Sequence, residues 1–306
     1  MSKATSATPS IDASPRDSLW TAVVWVLRIT VVIQCLGNAS ELHRFDSSVF
    51  SFLWNNPEAG GLDFSEQTAA AVETVAEWVL IAGAISALVR PLWIVLLPVA
   101  LWEIAMAASQ TWMGGSFLYQ LALPAHAARI AAPIVLAMVY RRAAQPALRG
   151  AGVVGAMWIA RLGIAFTFIA HGCEAWYQHP RFVDLLLSGS DQLLDWQMPE
   201  DKARTLLMAI AVVDWIVAGL IVVRRWPAVA YYMAFWGAVT AVSRVVQAGM
   251  PAYAEALLRA SHAGLPLAIG LYWQFIRRLD DSSSNSSAEA SSDDAVHAQN
   301  NSPSTS

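Results

Sequence analysis

His171 and Glu174 stand three residues apart in the segment WIARLGIAFTFIAHGCE, from Trp158 to Glu174. That spacing puts both side chains on one face of a helix. An imidazole beside a carboxylate can relay a proton, because histidine titrates near neutral pH and its neighbour sets its tautomer and basicity. The same pair also makes a plain structural hydrogen bond, as buried polar groups usually do, and spacing alone does not separate the two readings. Asp214 and His262 are the further groups such chemistry can draw on, so His171, Glu174, Asp214 and His262 form the candidate catalytic set. A di-iron bundle uses paired Glu-x-x-His segments. Here the order is reversed and occurs once, so no metal is assigned.

Around this set lie ionisable residues placed inside long apolar runs: Arg161, Glu77, Glu103, His126, Arg129 and Arg244. In lipid each charge must find a partner, a cavity or a route to the interface. These six are the candidate cofactor-binding residues. Glu77, Glu103, His126 and Arg129 fall in the outer halves of their blocks, as do His171, Glu174, Arg244 and His262, with Asp214 nearer the centre. Arg161 and Arg28 lie nearer the other side. From there they either snorkel and pair structurally or bind an anionic group between helices.

The elements that must position these residues follow from composition. Of 306 residues, 56% are hydrophobic and 14% charged, and the mean hydropathy is +0.45, which does not suit a soluble domain. The apolar residues form eight blocks, at about 20–40, 70–89, 91–110, 122–141, 151–172, 204–223, 227–248 and 256–276, each near the ~20 residues a helix needs to span the hydrocarbon core. Their length and lack of alternation predict an all-α polytopic membrane protein with eight transmembrane helices, and not a barrel. Pro124 and Pro133 predict a late start or a kink in the fourth. Lys3, Arg16, Arg90, Arg141, Arg142, Arg149, Arg224, Arg225, Arg277 and Arg278 all fall on one side. That side is expected to be cytoplasmic, placing the chain in the inner (cytoplasmic) membrane with both termini inside. The first helix reads as an uncleaved signal and anchor. Residues 1–19 and 279–306 read as disordered cytoplasmic tails, the latter rich in Ser, Asp and Asn.

The chain also repeats itself. WVLRITVVIQCLGNASE, Trp25 to Glu41, shares its Trp, Arg and Glu spacing with Trp158 to Glu174. AEWVL with Glu77 matches VDWIV with Asp214, a Ser109 segment matches a Ser243 segment, and His126 precedes Arg141 and Arg142 as His262 precedes Arg277 and Arg278. Two tandem four-helix units, 20–145 and 146–278, are expected, related by an axis along the membrane normal. The copies differ where chemistry would sit, since Asn38 stands where His171 does, and Asn cannot titrate. The connections 41–69 and 173–203 each hold an apolar stretch, FSFLW and FVDLLL, that predicts a short interfacial helix. Cys35 and Cys173 form no CxxC pair and do not align in the repeat.

This arrangement resembles the DoxX-like family of four-helix membrane proteins, present here as two fused units. The resemblance rests on Arg28 to Gly37 and Arg161 to Gly172 in the first helices, on the segment after Pro124, and on His262 with Pro266 in the last helix. Some relatives are associated with thiosulfate oxidation coupled to quinone, which implies a quinone-linked oxidoreductase component with quinone as the cofactor and a membrane or redox subunit as partner. The residues themselves leave two further classes open, a small-solute or ion transporter and a structural or assembly subunit of a membrane complex. Membrane lipid is an expected partner in every case. No CxxCH, nucleotide loop or cysteine cluster is present to hold a redox centre, and no basic groove suits nucleic acid.

Overall fold

A computed structural model describes residues 15–115, 117–143 and 150–300. Those residues form helices joined by turns and short connections, without a strand. The long helices are α1 (Pro15–Leu42), α3 (Glu66–Val89), α4 (Trp93–Met113), α5 (Ala122–Ala143), α6 (Ala151–Trp176), α8 (Glu200–Val223), α9 (Pro227–Ala248) and α11 (Ala260–Asn300). Between them lie three short ones: α2 (Ser48–Trp54), α7 (Pro180–Leu194) and α10 (Tyr253–Leu257).

Local chemistry sets several boundaries. The Ser65 side chain accepts from Thr68 N and opens α3, as serine does at an N-cap. Pro227 occupies the first turn of α9, where its missing N–H costs nothing, and Gly249 closes that helix with a positive φ of 74°. α5 runs unbroken. Pro124 falls in its first turn, where proline is tolerated, and Pro133 sits inside it, so the expected late start does not occur. α1 begins at Pro15, within the segment read as a tail. α11 continues past Arg278 to Asn300, where composition predicts an unstructured segment, and the next proline is Pro303.

Among the described residues, seven helices are long and apolar enough to cross a membrane, from Ser18–Leu42 through Pro227–Ala248. Such a set marks a multi-pass membrane protein. Their outward faces carry Val75, Trp78, Ile85, Ile94, Leu101, Ile216, Phe235 and Val242, all exposed. A belt of this size is a liability in water and is the expected surface in lipid. α11 is less apolar, with Ser261, His262 and Gln274 on it, yet Leu265, Ile269 and Phe275 of its apolar part are buried. A helix shielded by its neighbours does not need a lipid-compatible surface.

The packing follows one plan twice. α1 packs on α3, α3 on α4, α4 on α5 and α5 on α1; likewise α6 packs on α8, α8 on α9, α9 on α11 and α11 on α6. The two sets meet through α5 on α6 and α1 on α11. At the second seam a Cβ on Gly264 would lie 1.8 Å from Thr30 Oγ1, so only glycine admits this approach, as in other membrane helix interfaces. α2 lies on α3 and α4, and α7 lies on α8 and α9.

Candidate functional site

α6, α7, α8, α9 and α11 enclose a cavity of about 420 Å³. α7 supplies its roof because PRFVDLLLSGSDQLL is amphipathic, turning Phe182, Leu185, Leu186 and Ser190 inward. Phe168, Ala175, Leu207, Ile210 and Trp236 complete a mostly apolar lining. Against that lining stand Asp214, His171, Arg244, Arg259 and His262. A second cavity of about 520 Å³, polar in character, shares His171, Phe182, Arg244, Arg259 and His262 with the first and adds His126, Arg129, Glu174, His179, Arg181 and Glu255. The two cavities therefore meet at one wall of imidazoles and guanidiniums.

Within that wall, His171 Nδ1 lies 2.8 Å from Glu174 Oε2. The His171 and His262 rings are 5.4 Å apart, centroid to centroid. Glu255 holds the cations in place, with Arg259 Nη2 at 3.0 Å and Arg244 Nε at 3.8 Å. The Arg244 guanidinium carbon lies 5.4 Å from the Phe182 ring centroid. His126 Nδ1 is 2.8 Å from Ala122 O. A carbonyl only accepts, so this nitrogen carries the proton and Nε2 of the neutral ring offers a lone pair.

Among the buried atoms without a hydrogen-bond partner in the described residues are Asp214 Oδ1, His262 Nε2 and His126 Nε2 at these cavities, and Gln34 Oε1, Glu103 Oε2 and Arg129 Nε in the first half. Asp214 adjoins the Trp236 indole and lines the apolar cavity. Unpaired polar atoms in such a setting are costly. Those at the cavities are the groups a bound polar head would satisfy. Among the described residues, no three His, Cys, Asp or Glu side chains come together as metal ligands.

Glu103 belongs to a different cluster, joined to the polar cavity through Arg129. Glu103 is fully buried, and its Oε1 accepts from Gln34 Nε2 at 3.0 Å and Asn38 Nδ2 at 2.8 Å. Arg129 Nη1 stands 3.8 Å from Glu103 Oε2, and Gln34 Nε2 also donates to Arg129 O at 2.9 Å. This network ties α1, α4 and α5 together. Glu77 lies away from both clusters, 3.4 Å from His43 Nδ1; the inward acid on α3 is Glu73, which accepts from Ser47 N at 2.7 Å. Arg161 lies at the opposite end of α6 from His171, ten residues or about 15 Å away. Its Nε donates to Ile221 O at 2.9 Å and its Nη2 to Val222 O, capping the last turn of α8.

Sequence reasoning overlooked Glu255, His179 and Arg181, which sit in connections between apolar blocks, and Arg259, which sits at the start of the last block. A signal was available, since α10 and the start of α7 follow the two blocks whose outer ends carry Arg244 and His171. His179 caps α7 by accepting from Arg181 N at 3.1 Å. Burial holds its pKa below the ordinary 6.5 despite nearby Glu174. No protein-family model, curated protein or solved structure matches this chain.

Proposed function

We propose that the chain is a quinone-linked oxidoreductase component of the inner membrane, with its ligand site in the second half. The observation that carries this reading is the apolar cavity that ends on Asp214, His171, His262 and Arg244. Such a pocket takes an amphipathic molecule tail-first under α7 and sets its polar head against groups that exchange protons and donate hydrogen bonds. A bound quinone would supply a two-electron, two-proton couple, with electrons from a partner redox subunit, because the chain has no redox centre of its own in its sequence motifs. His171, held by Glu174, is placed to pass a proton between the polar cavity and a head group in the apolar one. Asp214 and the free Nε2 of His262 would orient the head.

The same reading takes the chain as a DoxX-like protein in tandem duplicate, with eight spans and both termini in the cytoplasm. The repeated packing plan and the paired seams α5–α6 and α1–α11 support a pseudo-two-fold axis along the membrane normal. The gathering of arginines at one end supports the orientation. A second reading, a transporter of a small amphipathic solute, draws on the wall shared by the two cavities.

Native mass spectrometry of protein extracted in mild detergent tests the proposal. The expected result is a quinone held in stoichiometric amount and lost in Asp214→Asn and His171→Ala. Protein that holds no quinone, but carries a solute across proteoliposomes in a His171-dependent way, would replace the redox reading by the transport one.

A further inference from the structure

At the arginine-rich end of the bundle, away from the site above, lies a cavity of about 340 Å³ between α6, α11 and the α8–α9 turn. Arg161, Arg225 and Arg277 line it, with Trp158 and Trp273 as walls and Asp280 at the rim. Arg161 is buried, and its guanidinium carbon lies 3.8 Å from the Trp158 ring centroid and 5.5 Å from that of Trp273. Its bonds to Ile221 O and Val222 O fix it there. Arg225 stands near enough to repel it, and Arg277 Nη2 donates to Arg225 O at 3.2 Å, which draws the third guanidinium to the same spot. Three guanidiniums thus face one space against a single carboxylate.

Topology alone asks for arginines at this end, but scattered ones satisfy that demand. It does not ask for three around one concavity, one of them buried and clamped between two indoles. The first half repeats the device in weaker form. Arg28 Nη1 reaches Leu88 O at 3.3 Å near the end of α3, its guanidinium carbon sits about 5 Å from the Trp25 and Tyr140 rings, and Arg90 and Arg141 line the adjoining cavity. Arg28 is not among the residues lining that cavity.

We propose that the Arg161–Arg225–Arg277 cavity binds a phosphate group, carried by the head of an anionic phospholipid of the adjoining leaflet. Guanidiniums offer forked donors that match phosphate oxygens. The indoles of Trp158 and Trp273 suit the headgroup level, where amphipathic rings collect. Headgroup phosphate and free phosphate share this chemistry, and the test separates them.

Purified full-length protein is delipidated in a zwitterionic-lipid-like detergent and titrated with phosphatidylglycerol, phosphatidylcholine or inorganic phosphate, with bound lipid counted by native mass spectrometry and thermal stability followed in parallel. The variant Arg225→Gln with Arg277→Gln leaves Arg161 in its cap; Arg90→Gln with Arg141→Gln serves as the first-half comparison. Phosphatidylglycerol is expected to bind wild type and to bind the Arg225/Arg277 variant about thirty-fold more weakly, from the loss of two near-surface charges. The first-half variant should change this by less. A response to inorganic phosphate as strong as to phosphatidylglycerol supports the phosphate site and assigns its occupant to the solvent. Equal binding of phosphatidylglycerol and phosphatidylcholine, unchanged in the Arg225/Arg277 variant while it melts like wild type, overturns the proposal.

Discussion

The two halves use corresponding helices for opposite ends. In the first, Gln34 and Asn38 both donate to Glu103, with Arg129 3.8 Å from the same carboxylate, and the four tie α1, α4 and α5 together. In the second, the aligned positions hold Thr167, His171, Gly237 and Leu265. Gly237 brings α9 against α11, where a Cβ would lie 2.3 Å from His262 O. No acid stands at that point; Glu174 and Glu255 pair with His171, Arg244 and Arg259 instead, and a cavity remains with Asp214 and His262 facing it. One polar cluster thus ties three helices together, while the other borders an open cavity.

The comparison breaks most visibly at Glu103. Glu103→Ala leaves Arg129 buried without its carboxylate and strands two amides, and is expected to cost about 3–5 kcal/mol. Asp214→Asn should change stability by less than about 1 kcal/mol, because this carboxylate has an unpaired oxygen to lose. Unfolding in mixed detergent measures both. Equal losses would erase the distinction between tie and site.

Next in size is Gly237→Val, which forces α9 from α11 at an expected cost of about 1–3 kcal/mol and should close the apolar cavity, read as lost ligand retention. Of similar size is the contrast between Asn38→Ala and His171→Ala. Asn38 donates to a buried carboxylate and should cost about 1.5–3 kcal/mol. His171, partly exposed and in a pair open to the polar cavity, should cost under about 1 kcal/mol while abolishing ligand binding. A stability loss at His171 as large as at Asn38 would make it structural.

The smallest effect concerns the roof. His179 accepts a hydrogen bond at the start of α7 only when neutral, and burial lowers its pKa. The unfolded chain therefore binds this proton more readily than the folded one. Its contribution is fully present above the unfolded value of about 6.5 and falls away as pH drops through the folded value. Protease cleavage in 195–199 should rise modestly at acid pH in wild type and lose that pH dependence in His179→Gln.

Much of this was legible because charges in apolar blocks stand out. The blocks located the long helices to within about five residues except at the end of α11, which runs on to Asn300, and His171, Glu174, Asp214, His262 and Arg244 do share one region. Three things escaped. Gln34 carries no charge, so its role in the tie did not register against an apolar background. Glu77 matches Asp214 in sequence, yet Asp214 faces inward while the inward acid on α3 is Glu73, one turn earlier. Arg161 shares a helix with His171 but lies about three turns from it, so membership of one polar helix did not mean one site. Whether two residues meet depends on the rotation and crossing of helices, which hydropathy does not encode.

The central claim is that the ligand enters the second half and not the first. Photo-crosslinking the purified protein with an azido-quinone and mapping the labelled peptides tests it directly. Label confined to Phe182–Leu194, Ile210–Asp214 and the Trp236–Arg244 stretch of α9, and competed away by unlabelled quinone, is the predicted result. Label spread evenly over both halves, or concentrated on α1, α4 and α5, would contradict the account.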